Sequence, residues 1–406
     1  MTTTEVVPKR VRPPELPALN GLRFLSALQL FLFHILAFHR MPGAPFPFPA
    51  FDLMPQPIVR LIDRGYCSTS LFFLLSGFIL AYLYLDERGD LVVPRGAFWR
   101  ARLARLYPLH LLLLPVAALP AIMMAKQMGL GVGSIIVSGL LSAALMQAWS
   151  PRFALSWNFP TWALSCVVFF YGVFPWLAPR VMNWSQQARR LALFALPILS
   201  LIPSVIYILV RGTGQAQPMD WWSEFVMRTP LLWLPHFLMG LLLAKVLVDG
   251  QSLGQSSSVN GLRRWVSWGD LAGLLLLVIE MSDHHLPARW FSDDVSREFP
   301  SFLIRHGLIA PLYYLVVLDL ARGSGVVAWL LSRRFWKPLG DASFSLFMWQ
   351  LPGLILFPGI AQALALSPFG QLSLVVIGTV GLALASCRWI ERPLANRLRR
   401  KATAAT

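Results

Sequence analysis

Acidic residues are scarce in this chain: Asp and Glu occupy 19 of 406 positions, and all charged residues together make up 13%. An ordinary soluble domain carries about a quarter charged residues, so a soluble fold is excluded at the outset. The few carboxylates at or near apolar segments, Asp63, Asp86, Glu280, Asp319 and Asp341, show no paired spacing. Chemistry that needs two carboxylates, as in a polyprenyl-dependent glycosyltransferase, therefore has little to build on. Cysteine is rarer still. Cys67, Cys166 and Cys387 are scattered, lack CxxC or Cys/His spacing, and define neither a disulfide framework nor a metal site. The His284-His285 pair has no obvious partners, so no metal is expected. There is no internal two-fold repeat, which weighs against a transporter or flippase.

What the chain has instead is apolar sequence. It is 56% hydrophobic, with a mean hydropathy of +0.60. Apolar segments lie near 19–39, 66–85, 103–124, 131–149, 160–179, 189–210, 229–248, 268–282, 300–320, 340–361 and 370–390. Most approach the ~20 residues needed to cross a bilayer as a helix. The reading is an all-α, polytopic transmembrane bundle. The formal charge of +16 is not gathered in a basic domain. It sits in short loops, where the positive-inside rule places it, so no nucleic-acid partner is expected. Loop charge puts both termini in the cytoplasm, which demands an even number of crossings. Ten are expected, with the glycine-spaced segment 131–149 short or re-entrant. No small-residue cleavage site follows the first stretch, so it reads as a retained span. The organisation is then a cytoplasmic leader (1–18), one membrane domain (19–392) and a basic cytoplasmic tail (393–406).

Titratable groups inside such spans are costly and read first as functional. In "LRFLSALQLFLFH", Arg23 and His34 are eleven positions apart. On a helix that is roughly 16 Å along the axis and only ~20° around it. Arg23 is near enough to the inner end to snorkel, whereas His34 sits deeper. Ser76-Gly77 interrupts the second segment, where a small pair admits a neighbouring backbone or a ligand. In "FWRARLARLYP", Arg102 and Arg105 share a helix face just before Tyr107. Positive-inside charge explains arginine here, but two forks on one face also suit phosphates. Thr161 and Ser165, i and i+4, are able to bond back to their own helix. Arg388 and Glu391, i and i+3, are placed for a helix-end salt bridge.

Taken in order, "LNGLRFLSALQLFLFH", "TSLFFLLSGFIL", "FWRARLARLYP", "PTWALS", "LGDASFSLFMWQLP" and "WIERP" resemble the membrane-bound acyltransferase-3 family over nearly the whole chain. The resemblance implies a bacterial cytoplasmic (inner) membrane O-acyltransferase. Its donor would be cytoplasmic acyl-CoA, with acetyl-CoA expected. Its acceptor would be a hydroxyl of a glycan, lipid-linked sugar or secondary metabolite. Carried over by residue, the family's histidine falls on His34 and its partner arginine on Arg23. The arginine pair falls on Arg102 and Arg105, with Tyr107 and Ser76 beside the donor, and Ser165, in the tryptophan-leucine-serine element, is expected among the catalytic residues. Two positions depart. Val167 stands where the family usually has a glutamate, and Gln350 where it commonly has a histidine. A valine neither accepts a proton nor orients a histidine, so a weakened or non-catalytic member is the alternative. His34 is expected to act as general base in direct transfer, an acyl-histidine intermediate remaining the other route.

Overall fold

The computed structural model describes residues 14–41, 46–127, 129–211, 221–252, 266–283 and 300–403. Most of the leader, including Lys9, Arg10 and Arg12, lies outside them, as do His284 and His285. Among the described residues the chain is helical throughout, with only a bridge between Leu85 and Leu91. Helix α1 (Pro17–His39) starts with proline at a first-turn position, where no N–H is missed. The short α2 (Gln56–Asp63) runs into α3 (Cys67–Tyr84), so the second apolar segment begins earlier than hydropathy marks it. There follow α4 (Arg95–Gln127), α5 (Val132–Ala143), α6 (Trp162–Met182), and α7 (Gln186–Leu199) continued by α8 (Ile202–Arg211). Next come α9 (Trp221–Arg228), α10 (Leu234–Ser252) and α11 (Trp268–Met281), the last opened by a Ser267/Asp270 capping box. The segment Pro300–Leu308 bends by 43° into α12 (Ala310–Arg322). The chain closes with α13 (Gly325–Leu331), α14 (Trp336–Asp341), α15 (Ser343–Ala363), α16 (Pro368–Ser386) and α17 (Arg392–Thr403).

Eight helical stretches among the described residues are long and apolar enough to cross a membrane, or nine with the bent pair as one span. Ten crossings then require α11 to traverse, although its fourteen residues reach only about 21 Å. Helix α5 has twelve residues, about 18 Å against a hydrocarbon core of about 30 Å. It matches the short segment expected at 131–149. Large apolar side chains that point outward, such as Leu112, Leu140, Phe194 and Ile377, would be a liability in water. They are the normal covering of a helix bundle facing lipid.

Two contacts set the frame around the site. Helices α3 and α10 cross with backbones touching. A Cβ on Gly77 would lie 2.0 Å from the Phe237 carbonyl oxygen, and one on Gly240 would lie 1.9 Å from that of Leu74. Beside this crossing Phe73, Phe170, Trp233 and Phe237 form a buried aromatic cluster, with Phe170 stacked on Phe237 at 4.7 Å. The first turn of α1 is seated equally tightly. Gly21 faces Leu331, and Gly340 faces the backbone of Asn20. Arg23 is thereby held at a fixed depth in the bundle.

Candidate active site

Helices α1, α3, α4, α6 and α15 enclose a cavity of about 160 Å³. Arg23, Arg102 and Arg105 all line it, together with Ser76, Val167 and Tyr171. The remaining walls are apolar, with Phe72, Phe73, Ile79, Phe344 and Phe347 prominent. Along α3 the lining runs from Thr69 to Leu80, about three turns or roughly 16 Å. The Ser76-Gly77 pair divides its two roles: Ser76 faces the cavity, while Gly77 receives the backbone of α10.

Each arginine is held differently. Arg102 is buried, lies over the Tyr84 ring at 4.8 Å and donates through Nη2 to the Tyr84 hydroxyl at 2.6 Å. Its Nε is buried with no partner. Arg105 Nε lies 3.5 Å from Glu391 Oε1, and the other oxygen of Glu391 accepts from Ser345 at 2.8 Å. Arg23 is within electrostatic range of Arg105, Asp341 and Glu391. The i,i+3 pair expected between Arg388 and Glu391 is not what forms. Residues Cys387–Glu391 adopt a π-helical turn that directs Glu391 inward to Arg105 and leaves Arg388 exposed.

His34 is not on the cavity wall; Leu30, one turn earlier in α1, is. Its ring is enclosed by Phe33 and, edge-on at 4.8 Å, by Phe159. Nδ1 donates to Gln350 Oε1 at 2.6 Å. Gln350 is fully buried, and its Nε2 has no partner. An Nδ1–H bonded to a carbonyl oxygen fixes the tautomer in which Nε2 carries the free lone pair. That is the form needed to take a proton. The departure at position 350 therefore supplies the histidine's partner.

Of the other expected residues, Ser76 and Val167 share the cavity with the arginines, and Ser165 and Tyr107 do not. Val167 lies on the cavity wall among the arginines. Ser165 is buried off the cavity and donates to Gln147 Oε1 at 3.0 Å. Gln147 Nε2 in turn donates to Thr161 at 3.0 Å, and Thr161 to the carbonyl of Asn158 at 2.6 Å. This relay ties Ser165 to the turn that carries Phe159 against His34. The hydroxyl of Tyr107 donates to the Ala144 carbonyl at 3.0 Å, tying α4 to the end of α5, and Tyr107 is not part of the cavity wall. Sequence reasoning missed Tyr84 and Glu391 as partners of the arginine pair. Neither has a spacing that points to α4. Among the described residues no three metal-ligating side chains cluster.

The site is thus an apolar helical bundle with an arginine-lined chamber that ends one turn from a half-buried histidine. The chain belongs to the acyltransferase-3 family, whose acyltransferase domain it matches over residues 16–388. It is 30% identical over 256 residues to Acyltransferase MdmB of Streptomyces mycarofaciens, a match covering 59% of each chain. It is 45% identical over 54 residues to Protein 2 in picA locus of Rhizobium radiobacter, covering 13% of this chain and 28% of that protein. The chain thus spans less than two thirds of the length of either relative. No solved structure matches it.

Proposed function

We propose that the protein moves an acyl group from acyl-CoA, with acetyl-CoA the expected donor, to a hydroxyl of a glycan, lipid-linked sugar or secondary metabolite. The site would lie in the bacterial cytoplasmic membrane, with both termini and the arginine end of the cavity on the cytoplasmic side. One observation carries the reading. A single chamber has three arginines on its walls and reaches Leu30, one turn from a histidine whose tautomer is set for proton abstraction.

The donor's chemistry suits these residues. Arginine forks match phosphate oxygens, and the buried Arg102 Nε is a donor awaiting an acceptor. Below them, the phenylalanine walls suit the pantetheine arm and a short acyl chain. In the transfer step His34 Nε2 takes the proton of the acceptor hydroxyl, and the oxygen attacks the thioester carbonyl. The carbon–sulfur bond then breaks, and the leaving thiolate recovers the proton from His34. Gln350 holds the Nδ1–H throughout. The acceptor oxygen ends as an ester, and free CoA thiol departs.

Replacement of His34 by alanine tests the reading. A general base contributes about 10²–10⁴-fold in rate, so His34→Ala should lose transfer by that factor while acyl-CoA binding, measured by calorimetry on the purified protein, persists. Turnover retained in His34→Ala would move the chemistry to another residue.

A further inference from the structure

A second group of arginines lies beside His34, apart from the cavity. Arg228 ends α9, and Arg305 lies in the π-helical turn Ile304–Leu308. Each reaches the histidine through aromatic residues. The Arg228 guanidinium is 5.9 Å from the centroid of Trp162, which opens α6 directly after the Phe159 turn that packs on His34. Arg305 lies over Tyr66 at 4.2 Å, and Tyr66 meets Phe33 edge-on at 5.7 Å, next to His34 in the chain. Arg228 acts electrostatically on His34, and the two guanidiniums act on each other.

The charges here do not balance. Arg228 pairs with Glu224. Arg305 has no ion pair among the described residues; its Nη1 donates to Met227 Sδ at 3.2 Å, a weak acceptor. The Nε atoms of both arginines are buried without a partner. A guanidinium in apolar surroundings is costly unless an anion or strong acceptor meets it. The backbone around Arg305 is π-helical, a local departure often kept at functional sites.

We propose that Arg228 and Arg305 bind an anionic group, phosphate or carboxylate, on the acyl acceptor and so present its hydroxyl to His34. The inference rests on the acyl-transfer reading above and narrows its acceptor. An acidic sugar or a sugar phosphate brings the missing negative charge, whereas a neutral glycan leaves both Nε donors unmet.

The test uses purified full-length protein in lipid nanodiscs with radiolabelled acetyl-CoA. Acceptors are a glucuronide, a polyprenyl sugar phosphate and a neutral glucoside, given to the parent, Arg305→Gln, Arg305→Lys and Arg228→Gln. The parent should favour an anionic acceptor, and the glucuronide and polyprenyl arms separate a soluble acidic sugar from a lipid-linked phosphate. Arg305→Gln and Arg228→Gln should raise KM for the anionic acceptor about 10–100-fold, as for a lost charge-assisted hydrogen bond. Arg305→Lys should recover part, because charge remains but the fork is lost. A parent that prefers the neutral glucoside, or variants that keep the anionic preference, overturns the proposal. Acetyl-CoA binding on the same preparations reports whether each variant has folded. If variants do not fold, or no acceptor is acylated (which would sink the transfer reading itself), thermal stability of the parent decides. Stabilisation by glucuronate and glucose phosphate above that by glucose supports the site; equal stability overturns it.

Discussion

Removing the Gln350 side-chain amide probes the histidine without touching it. Gln350→Leu keeps volume and burial but takes away the acceptor 2.6 Å from His34 Nδ1. In the resting enzyme this bond joins neutral groups, worth about 0.5–1.5 kcal/mol, and in the transition state the imidazole gains charge, raising the bond to about 1.5–3 kcal/mol. Only the difference accelerates the reaction. About 1–2 kcal/mol corresponds to roughly 5–30-fold in kcat. The leucine also leaves a buried N–H without a partner, costing about 1–3 kcal/mol of stability, so the folded fraction must be measured beside the rate. The assay is acetyl transfer at saturating donor across a pH series. Gln350→Glu, read the same way, should move the acidic limb of the profile to higher pH, because a carboxylate holds the imidazole protonated and the base must first lose that proton. A folded Gln350→Leu protein with the parent's kcat and pH profile would refute the assignment of Gln350 as the group that orients His34.

Arg102→Ala should weaken acyl-CoA binding by about 1–3 kcal/mol in calorimetry, with Arg102→Lys restoring part; unchanged affinity would leave Arg102 as loop charge alone. Val167→Glu would place a carboxylate on the wall shared by Arg23, Arg102 and Arg105. It should raise donor KM about tenfold by competing for an arginine that otherwise meets phosphate, and a higher kcat at unchanged donor KM would show instead that position 167 serves the histidine. Gly96→Cys, whose Cβ would meet only the Arg100 guanidinium at an ordinary 3.5 Å, should react with an impermeant maleimide only after cells are permeabilised. The three native cysteines are buried and leave little background, so labelling of Gly96→Cys in intact cells would invert the topology.

The spans were legible because each carries its own signal: a bilayer-length apolar run needs no partner to announce itself. The same holds for Arg23 and His34, whose relation is set by one helix, and for Arg102 with Arg105. Partnerships between distant segments were not legible. His34 meets Gln350 across 316 positions, and only the folded bundle shows that an amide takes the place beside the imidazole. The i,i+3 rule failed at Arg388 and Glu391 because it assumes α-helical phase, and one π-helical turn there carries Glu391 to Arg105. Ser165 looked reactive by its company in the sequence. Its hydrogen bond to Gln147, a residue in an unremarkable apolar stretch, was not legible from that company.

Reciprocal glycine contact between α3 and α10 leaves no side-chain layer to slide or compress, so those two helices move as one body. The cavity has α3 for one wall, and a long, branched donor cannot thread a chamber of about 160 Å³ without some widening. That widening has to come from the opposite walls. Three of them are interrupted by proline: α4 at Pro108, Pro115 and Pro120, α6 at Pro175 and Pro179, and α15 at Pro352 and Pro358. Each of these prolines removes a backbone hydrogen bond and makes its helix easier to flex. Gln350 lies two residues before Pro352. The stationary half of the protein therefore carries Ser76, Phe73 and Phe237, and the yielding half carries Phe170 and the amide beside the histidine. In the proposed reaction, admission of donor and readiness of the base would share one mechanical joint.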